Sequence, residues 1–401
     1  MALLRSTASR VLSVLVLACG VTAGVLPPAQ AGDGVTAEVE RILSTAVAGV
    51  PLEVVTTRAS AEGPIITSRR TSSLASARDL IRAALAQTST IGVDLAHPVR
   101  AAATNDPFRP QQWALTQLKA ETVWRKSRGK GTVVAVIDSG VRRTHRDLAG
   151  RLLAGRDFVD PGTSSEDTNG HGTHVAGTIA AVADNRRGVA GLAPSARILP
   201  VRVLDRDGVG STADVARGIV WAVNHGADVI NLSLSTTQAD TASREAVAYA
   251  QRSNVVVVAA AGNSGCPAFG SSRTTYPAAY PGVIGVGALD RSGAIASYSS
   301  CGSFVDVVAP GSDIVSTTIY SPPAELGCPA RTSYCFLDGT SMAAPHVAAS
   351  AAILVSRIGP GWRASDVAAA VTAKADDVGA AGYDRRTGFG RLNTQRMLYG
   401  R

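Results

Sequence analysis

The sequence predicts an α/β protein with a parallel central sheet covered by helices on both faces, preceded by a small α+β unit. Three observations carry this. Continuous apolar runs recur at 132–137, 198–203, 229–234, 255–260, 283–288 and 305–309. Strands buried on both faces of a parallel sheet read this way, without polar alternation. Helical patterns at 171–182, 212–225 and 241–252 lie between them, and strand–helix alternation implies crossover helices on both faces. Before Asn105 the character changes, with few large apolar residues.

In chain order, the first unit shows a helix at 35–47, strands at 52–57 and 64–67, a helix at 76–87 and a last strand at 90–95. Alone, such a unit buries little surface and would be marginal. It ends in a small-residue linker, 99–104, suited to proteolysis. After the alternating region, an Ala-rich run from Ser341 to Ile358 reads as a buried helix, and 364–375 as another.

The chain has 401 residues, 45% hydrophobic and only 4% aromatic, so its core must be built mostly from Ala, Val, Leu and Ile. The net charge of +8 is almost all arginine, lysine occurring only at 119, 126, 130 and 374. No arginine cluster is interleaved with aromatics, which argues against nucleic acid. At the N-terminus, Arg5 and Arg10 precede an apolar run from Val11 to Leu26, and Ala29-Gln-Ala31 follows. This is the pattern of a secretory signal, 1–31, rather than a membrane span. An alternative is a lipoprotein site at Cys19, which Leu17 fits poorly. No other segment reads as a membrane span. Export favours disulfides. Four cysteines remain, 266, 301, 328 and 335, with three pairings open. A local Cys328–Cys335 bridge is easiest, leaving Cys266 with Cys301.

Four stretches carry chemistry. Asp138 directly follows the run ending at Ile137, so its carboxylate is at a strand's carboxyl end, where open parallel sheets form sites. Next is Asn169-Gly-His-Gly-Thr-His174, with His171 and His174 one turn apart. A metal pair would need a further ligand of the usual kind, which is lacking. One catalytic and one structural histidine is the stronger reading. Asn263 follows a buried strand and Gly262, so its amide can project from the strand end. Ser341, among small residues, begins the Ala-rich helix, where free N–H groups favour an anion forming beside its oxygen. A serine nucleophile needs a base, and the base needs a carboxylate to fix its tautomer.

The order Asp138, His171, Ser341, with Asn263 between the last two, resembles the subtilases, the subtilisin-like serine peptidases. The blocks are Val134-Ala-Val-Ile-Asp-Ser-Gly140, His171-Gly-Thr-His-Val-Ala-Gly177, Ala260-Ala-Gly-Asn263 and Gly339-Thr-Ser-Met-Ala-Ala-Pro-His346. The chain is most similar to the secreted thermitase and aqualysin-like branch, over 105–399. The resemblance implies a subtilisin-like fold and a secreted, self-processed endopeptidase. Asp138 would orient His171, His171 would be general base and acid, and Ser341 the nucleophile. Asn263 and the Ser341 N–H would form the oxyanion hole, and His174 would be structural. Peptide would add as a strand to edges containing Gly208, Gly210, Ser233 and Ser235, with Ala260, Gly262 and Thr275 around the specificity pocket. Here Ser235-Thr236 replaces the family's usual Gly-Gly.

The resemblance further implies calcium (Ca2+), held by the Asp106 and Asp147 carboxylates, the Asn185 side chain and the Val182, Arg187 and Val189 carbonyls. A second site around Asp157, Asp160, Ser164 and Glu166 is weaker, because Gly162 stands where a carboxylate is expected. Residues 32–104 would be the pro-segment, inhibitor and chaperone of the catalytic domain 105–401. Expected partners are extended peptide substrates and the chain's own pro-segment, with the protein a monomer. The alternatives are a mycosin-like processing protease, for which a C-terminal membrane helix would be expected, and an inactive binding protein of the same fold.

Overall fold

The computed structural model describes residues 31–46, 51–61, 63–96 and 104–399. The signal segment and most of the linker fall outside the described residues. The chain divides into two compact units, Met1–Ala101 and Ala102–Arg401.

The first unit contains α1 (Ala31–Leu43), β1 (Leu52–Arg58), β2 (Ile65–Thr71), α2 (Leu74–Leu85) and β3 (Thr90–Leu95). Its antiparallel sheet has the order β2-β1-β3. Val39, Ile42, Val54, Ile81 and Val93 form a small core. Ser73 caps α2 by accepting the Ser76 N–H at 3.1 Å. α1 starts earlier than its apolar spacing suggested.

The second unit begins with two short helices, α3 (Trp113–Gln117) and α4 (Ala120–Trp124). The main elements follow: β4 (Val133–Asp138), β5 (Arg156–Asp157), α5 (His171–Ala180), β6 (Arg197–Arg202), α6 (Thr212–Asn224) and β7 (Val229–Leu232). Then come α7 (Thr241–Arg252), β8 (Val256–Ala260), β9 (Ile284–Leu289) and β10 (Val307–Pro310). β11 (Ile314–Thr317) and β12 (Tyr334–Leu337) form an antiparallel pair, followed by α8 (Thr340–Ile358), α9 (Ala364–Ala373) and α10 (Thr394–Tyr399). The seven-stranded sheet is parallel throughout, in the order β10-β9-β8-β7-β4-β6-β5. The expected architecture is the observed one. β4 lies between β6 and β7, so the chain leaves it in opposite directions and a crevice opens at its carboxyl end.

Two apolar layers flank the sheet. One gathers α5 and α8 with Val134, Val136, Val256 and Val258; the other gathers α6 and α7 with Ala135, Ile137, Ile230 and Val257. α8 is long and apolar enough to cross a membrane by length and composition. Here it is the central core helix, packed on α5 and on β7, β8 and β9. The disulfides are Cys266–Cys301 and Cys328–Cys335, the favoured pairing, with Cα atoms 5.2 and 5.5 Å apart.

Candidate active site

Asp138 ends β4 and is fully buried. Its Oδ1 lies 2.8 Å from His171 Nδ1 and accepts the Ser139 N–H at 2.7 Å. His171 is the first residue of α5, its side chain 19% exposed toward the cleft. The approach requires Gly172, because a Cβ there would strike the Gly140 carbonyl and stand 3.1 Å from the Asp138 side chain. Burial pushes the His171 pKa down, but the charge and hydrogen bond of Asp138 and the charge of Asp167 outweigh it, and the net direction is up. His174 is buried, and its Nε2 lies 2.9 Å from the Ile314 carbonyl and 3.2 Å from that of Cys335. Burial, with the neighbouring His171 charge, lowers its pKa to about 3. It is a neutral pin between α5 and the β11–β12 pair.

Asp167 was not singled out in the sequence. Its buried carboxylate accepts from Ser139 Oγ and the N–H groups of Asn169 and Gly170 through Oδ1, and from the Thr173 N–H and hydroxyl through Oδ2. It thereby caps α5 and fixes the loop that delivers His171. An Asp a few residues ahead of a helix is a capping signal that could have flagged it.

Ser341 occupies the first turn of α8. Pro345 lies four residues later and has no N–H for the Ser341 carbonyl. The hydroxyl of Ser233, just beyond β7, supplies the bond instead at 2.8 Å. Ser341 Oγ in turn donates to the Ser233 carbonyl at 3.2 Å, rather than to the imidazole. Catalytic hydrogen bonds often tighten only when substrate arrives. Asn263 lies beyond β8, and its Oδ1 accepts both the N–H and the hydroxyl of Thr340 at 2.9 Å. That fixes the amide, and Nδ2 donates no hydrogen bond among the described residues. Gly339 (φ 154°) has no side chain, and the point where its Cβ would stand is 3.3 Å from Asn263 Nδ2 and 3.5 Å from Ser341 N. Two N–H donors therefore flank one small space beside the serine.

A cleft of about 530 Å³ runs from His171 along Gly208, Gly210, Ser233 and Ser235 to Tyr276. Ala260, Gly262 and Thr275 do not line it; all three are buried. Thr275 Oγ1 donates to the Ala261 carbonyl at 2.7 Å. A Cβ on Gly262 (φ 95°) would stand 3.1 Å from the Thr275 methyl and 3.6 Å from Ser235 Oγ. The hydroxymethyl of Ser235 thus faces Gly262 across a narrow gap.

Asp106 and Asp147 are buried, and no cationic side chain pairs with either among the described residues. Asp106 accepts the N–H groups of Asp184 and Asn185. Asp147 accepts the Val189 N–H at 2.9 Å and Asn185 Nδ2 at 2.6 Å. Burial raises the Asp147 pKa to about 6 against these bonds and one from Tyr334, and the charge of Asp106 adds to the rise. The carbonyls of Val182, Arg187 and Val189 accept no hydrogen bond among the described residues. No group of three His, Cys, Asp or Glu side chains suited to a metal occurs among those residues. A hard cation would therefore draw on carbonyls and an amide as well as two carboxylates, an all-oxygen set that fits calcium. The weaker second set differs: Asp157 is committed to Arg202 at 2.8 Å and to the N–H groups of Val159 and Asp160.

A buried carboxylate–imidazole pair, a serine at a helix start and two nitrogen donors close to one point are the parts that serine acyl transfer requires. Residues 129–390 match the model of the Subtilase family. Thermitase of Thermoactinomyces vulgaris is 43% identical over 279 residues, 69% of this chain and 93% of that protein. The thermophilic serine proteinase of Bacillus sp. (strain AK1) is 43% identical over 288 residues, 72% of this chain and 67% of that protein. A solved structure of a protease from Pseudoalteromonas arctica PAMC 21717 superposes with a TM-score of 0.67 at 31% identity, covering 75% of this chain and 99% of that one. The chain belongs to the subtilase family and is a subtilisin-like serine endopeptidase.

Proposed function

We propose that Ser341, His171 and Asp138 form the catalytic triad of a secreted endopeptidase made as a self-processed zymogen. The observation that carries the site assignment is that Asn263 Nδ2 and Ser341 N lie 3.3 and 3.5 Å from one point above Gly339, beside Ser341. Ser341 Oγ attacks the scissile carbonyl while His171 Nε2 takes its proton. The oxyanion accepts from Asn263 Nδ2 and the Ser341 N–H, where fixed donors act best. Asp138 holds Nδ1–H and stabilises the imidazolium. His171 then protonates the departing amine, and the acyl-enzyme is hydrolysed by water with His171 again as base. Extended peptide pairs with Gly208–Gly210 on one side and Ser233–Ser235 on the other.

Calcium bound by Asp106, Asp147, Asn185 and the Val182, Arg187 and Val189 carbonyls would neutralise the two buried carboxylates and hold the 182–189 loop. The pattern at 1–31 supports export, and the disulfides agree with an oxidising destination. Residues 32–104 are the pro-segment, and the mature enzyme is a monomer. The test is the intact mass of the exported protein, wild type beside Ser341→Ala, with calcium present. Loss of everything before about residue 105 in the wild type alone supports self-processing by Ser341. Retention of 32–104 in both proteins overturns it.

A further inference from the structure

The wall of the cleft beside His171 comes from a segment that the triad does not use. Residues 318–333 join β11 to β12. Thr318 N–H donates to the Ser333 carbonyl, Arg331 N–H donates to that of Tyr320, and Cys328–Cys335 closes the loop. Its middle, Ala324–Leu326, is one tight helical turn ended by Gly327 at φ 74°. Glu325 and Leu326 line the cleft together with Asn169, His171, Leu204 and Asp207. Leu326 Cδ2 is only 3.0 Å from where a Cβ on Gly170 would stand. The bare backbone at 170 therefore lets this turn close over the residue directly before His171. The base of the loop is fixed to the same helix, because His174 Nε2 bonds the carbonyls of Ile314 and Cys335. Tyr334 anchors it further against the rings of Phe108 and His145. The two ends of the loop are thus tied to α5 and to the Phe108 and His145 rings.

We propose that Glu325 selects a lysine or arginine side chain at the second substrate residue before the scissile bond (P2). This rests on the reading of the cleft as the peptide site. A peptide extended along Gly208–Gly210 places successive side chains on opposite faces. With its scissile carbonyl at Ser341, the residue before the bond faces the 233–236 wall. The residue before that one faces His171, Leu204 and Glu325. Glu325 and Asp207 are exposed, and neither carboxylate is in an ion pair among the described residues. Arg206 lines the adjoining hollow with Tyr320 and Ser321. The same hollow carries Arg142, Glu166 and Asp167, so carboxylates outnumber guanidiniums at this end: Glu325, Asp207, Glu166 and Asp167 against Arg142 and Arg206. Leu204 and Leu326 would cover the methylene stem of a long cationic side chain while its head reaches the carboxylate.

The test uses fluorogenic peptides identical except at P2 (Lys, Gln or Glu), and a second set varied at the residue after the bond. The processed enzyme is assayed as wild type, Glu325→Gln and Glu325→Lys. The wild type should favour Lys over Gln at P2 by about two- to five-fold in kcat/KM, the scale of an exposed ion pair. Glu325→Gln should abolish that ratio and Glu325→Lys should reverse it in favour of Glu. High salt should shrink the wild-type preference. Ratios that stay the same across all three proteins overturn the proposal. A charge preference that appears only after the bond also overturns it. If the wild type cleaves no peptide, including the Gln control, the peptidase reading itself fails and this inference fails with it.

Discussion

Replacing His346 by glutamine should flatten the acid sensitivity of the fold. His346 is buried in α8, its Nδ1 2.9 Å from the Met342 carbonyl. Burial lowers its pKa to about 4, against about 6.5 in an unfolded chain. The folded state therefore refuses a proton that the unfolded state accepts. The resulting stability is fully present above about pH 6.5 and is lost as the pH falls toward 4. Between pH 6 and 5 the linkage relation gives about 1.2 kcal/mol lost through this one residue. His171 does not contribute in that window. Its raised pKa adds stability that is already full below about 6.5 and is lost only at higher pH. The assay is urea unfolding of the full chain in a Ser341→Ala background, which prevents self-digestion, with calcium in excess. All four tryptophans, at 113, 124, 221 and 362, lie in the catalytic unit, so fluorescence reports that unit. His346→Gln should lower stability at neutral pH yet lose about 1.2 kcal/mol less than its parent between pH 6 and 5. Parallel profiles, within about 0.3 kcal/mol, would show that His346 takes up its proton normally in the fold and refute the reasoning.

Asn263→Ala should cut kcat by about 10²–10³-fold, the usual loss for one oxyanion donor, with KM little changed; a loss confined to KM would assign Asn263 to ground-state binding. Removing calcium with EGTA should lower the thermal midpoint of the Ser341→Ala protein, and Asp147→Asn should make that midpoint insensitive to EGTA. Equal EGTA shifts in both proteins would move the cation elsewhere.

Much of the molecule was legible in the chain because its signals are local. Six apolar runs matched the six longer strands of the sheet within about two residues, since a strand buried on both faces is built mostly from apolar side chains. Helix starts at His171, Thr212 and Thr241 follow from capping residues and glycines within a few positions. The short pieces β5, α3, α4 and α10 left no such pattern, because a turn or two of structure is chosen by its surroundings rather than its own sequence. What only the tertiary structure decided is which distant groups meet. Asp138 reaches His171 because Gly172 has no side chain to keep α5 away. Ser233 bonds the Ser341 carbonyl because Pro345 removed the helix's own donor. Glu325 reaches the cleft because a bridged loop, 155 positions further along the chain, lies over Gly170. Each depends on packing between segments far apart in sequence, where geometry in three dimensions, not spacing along the chain, sets the distance.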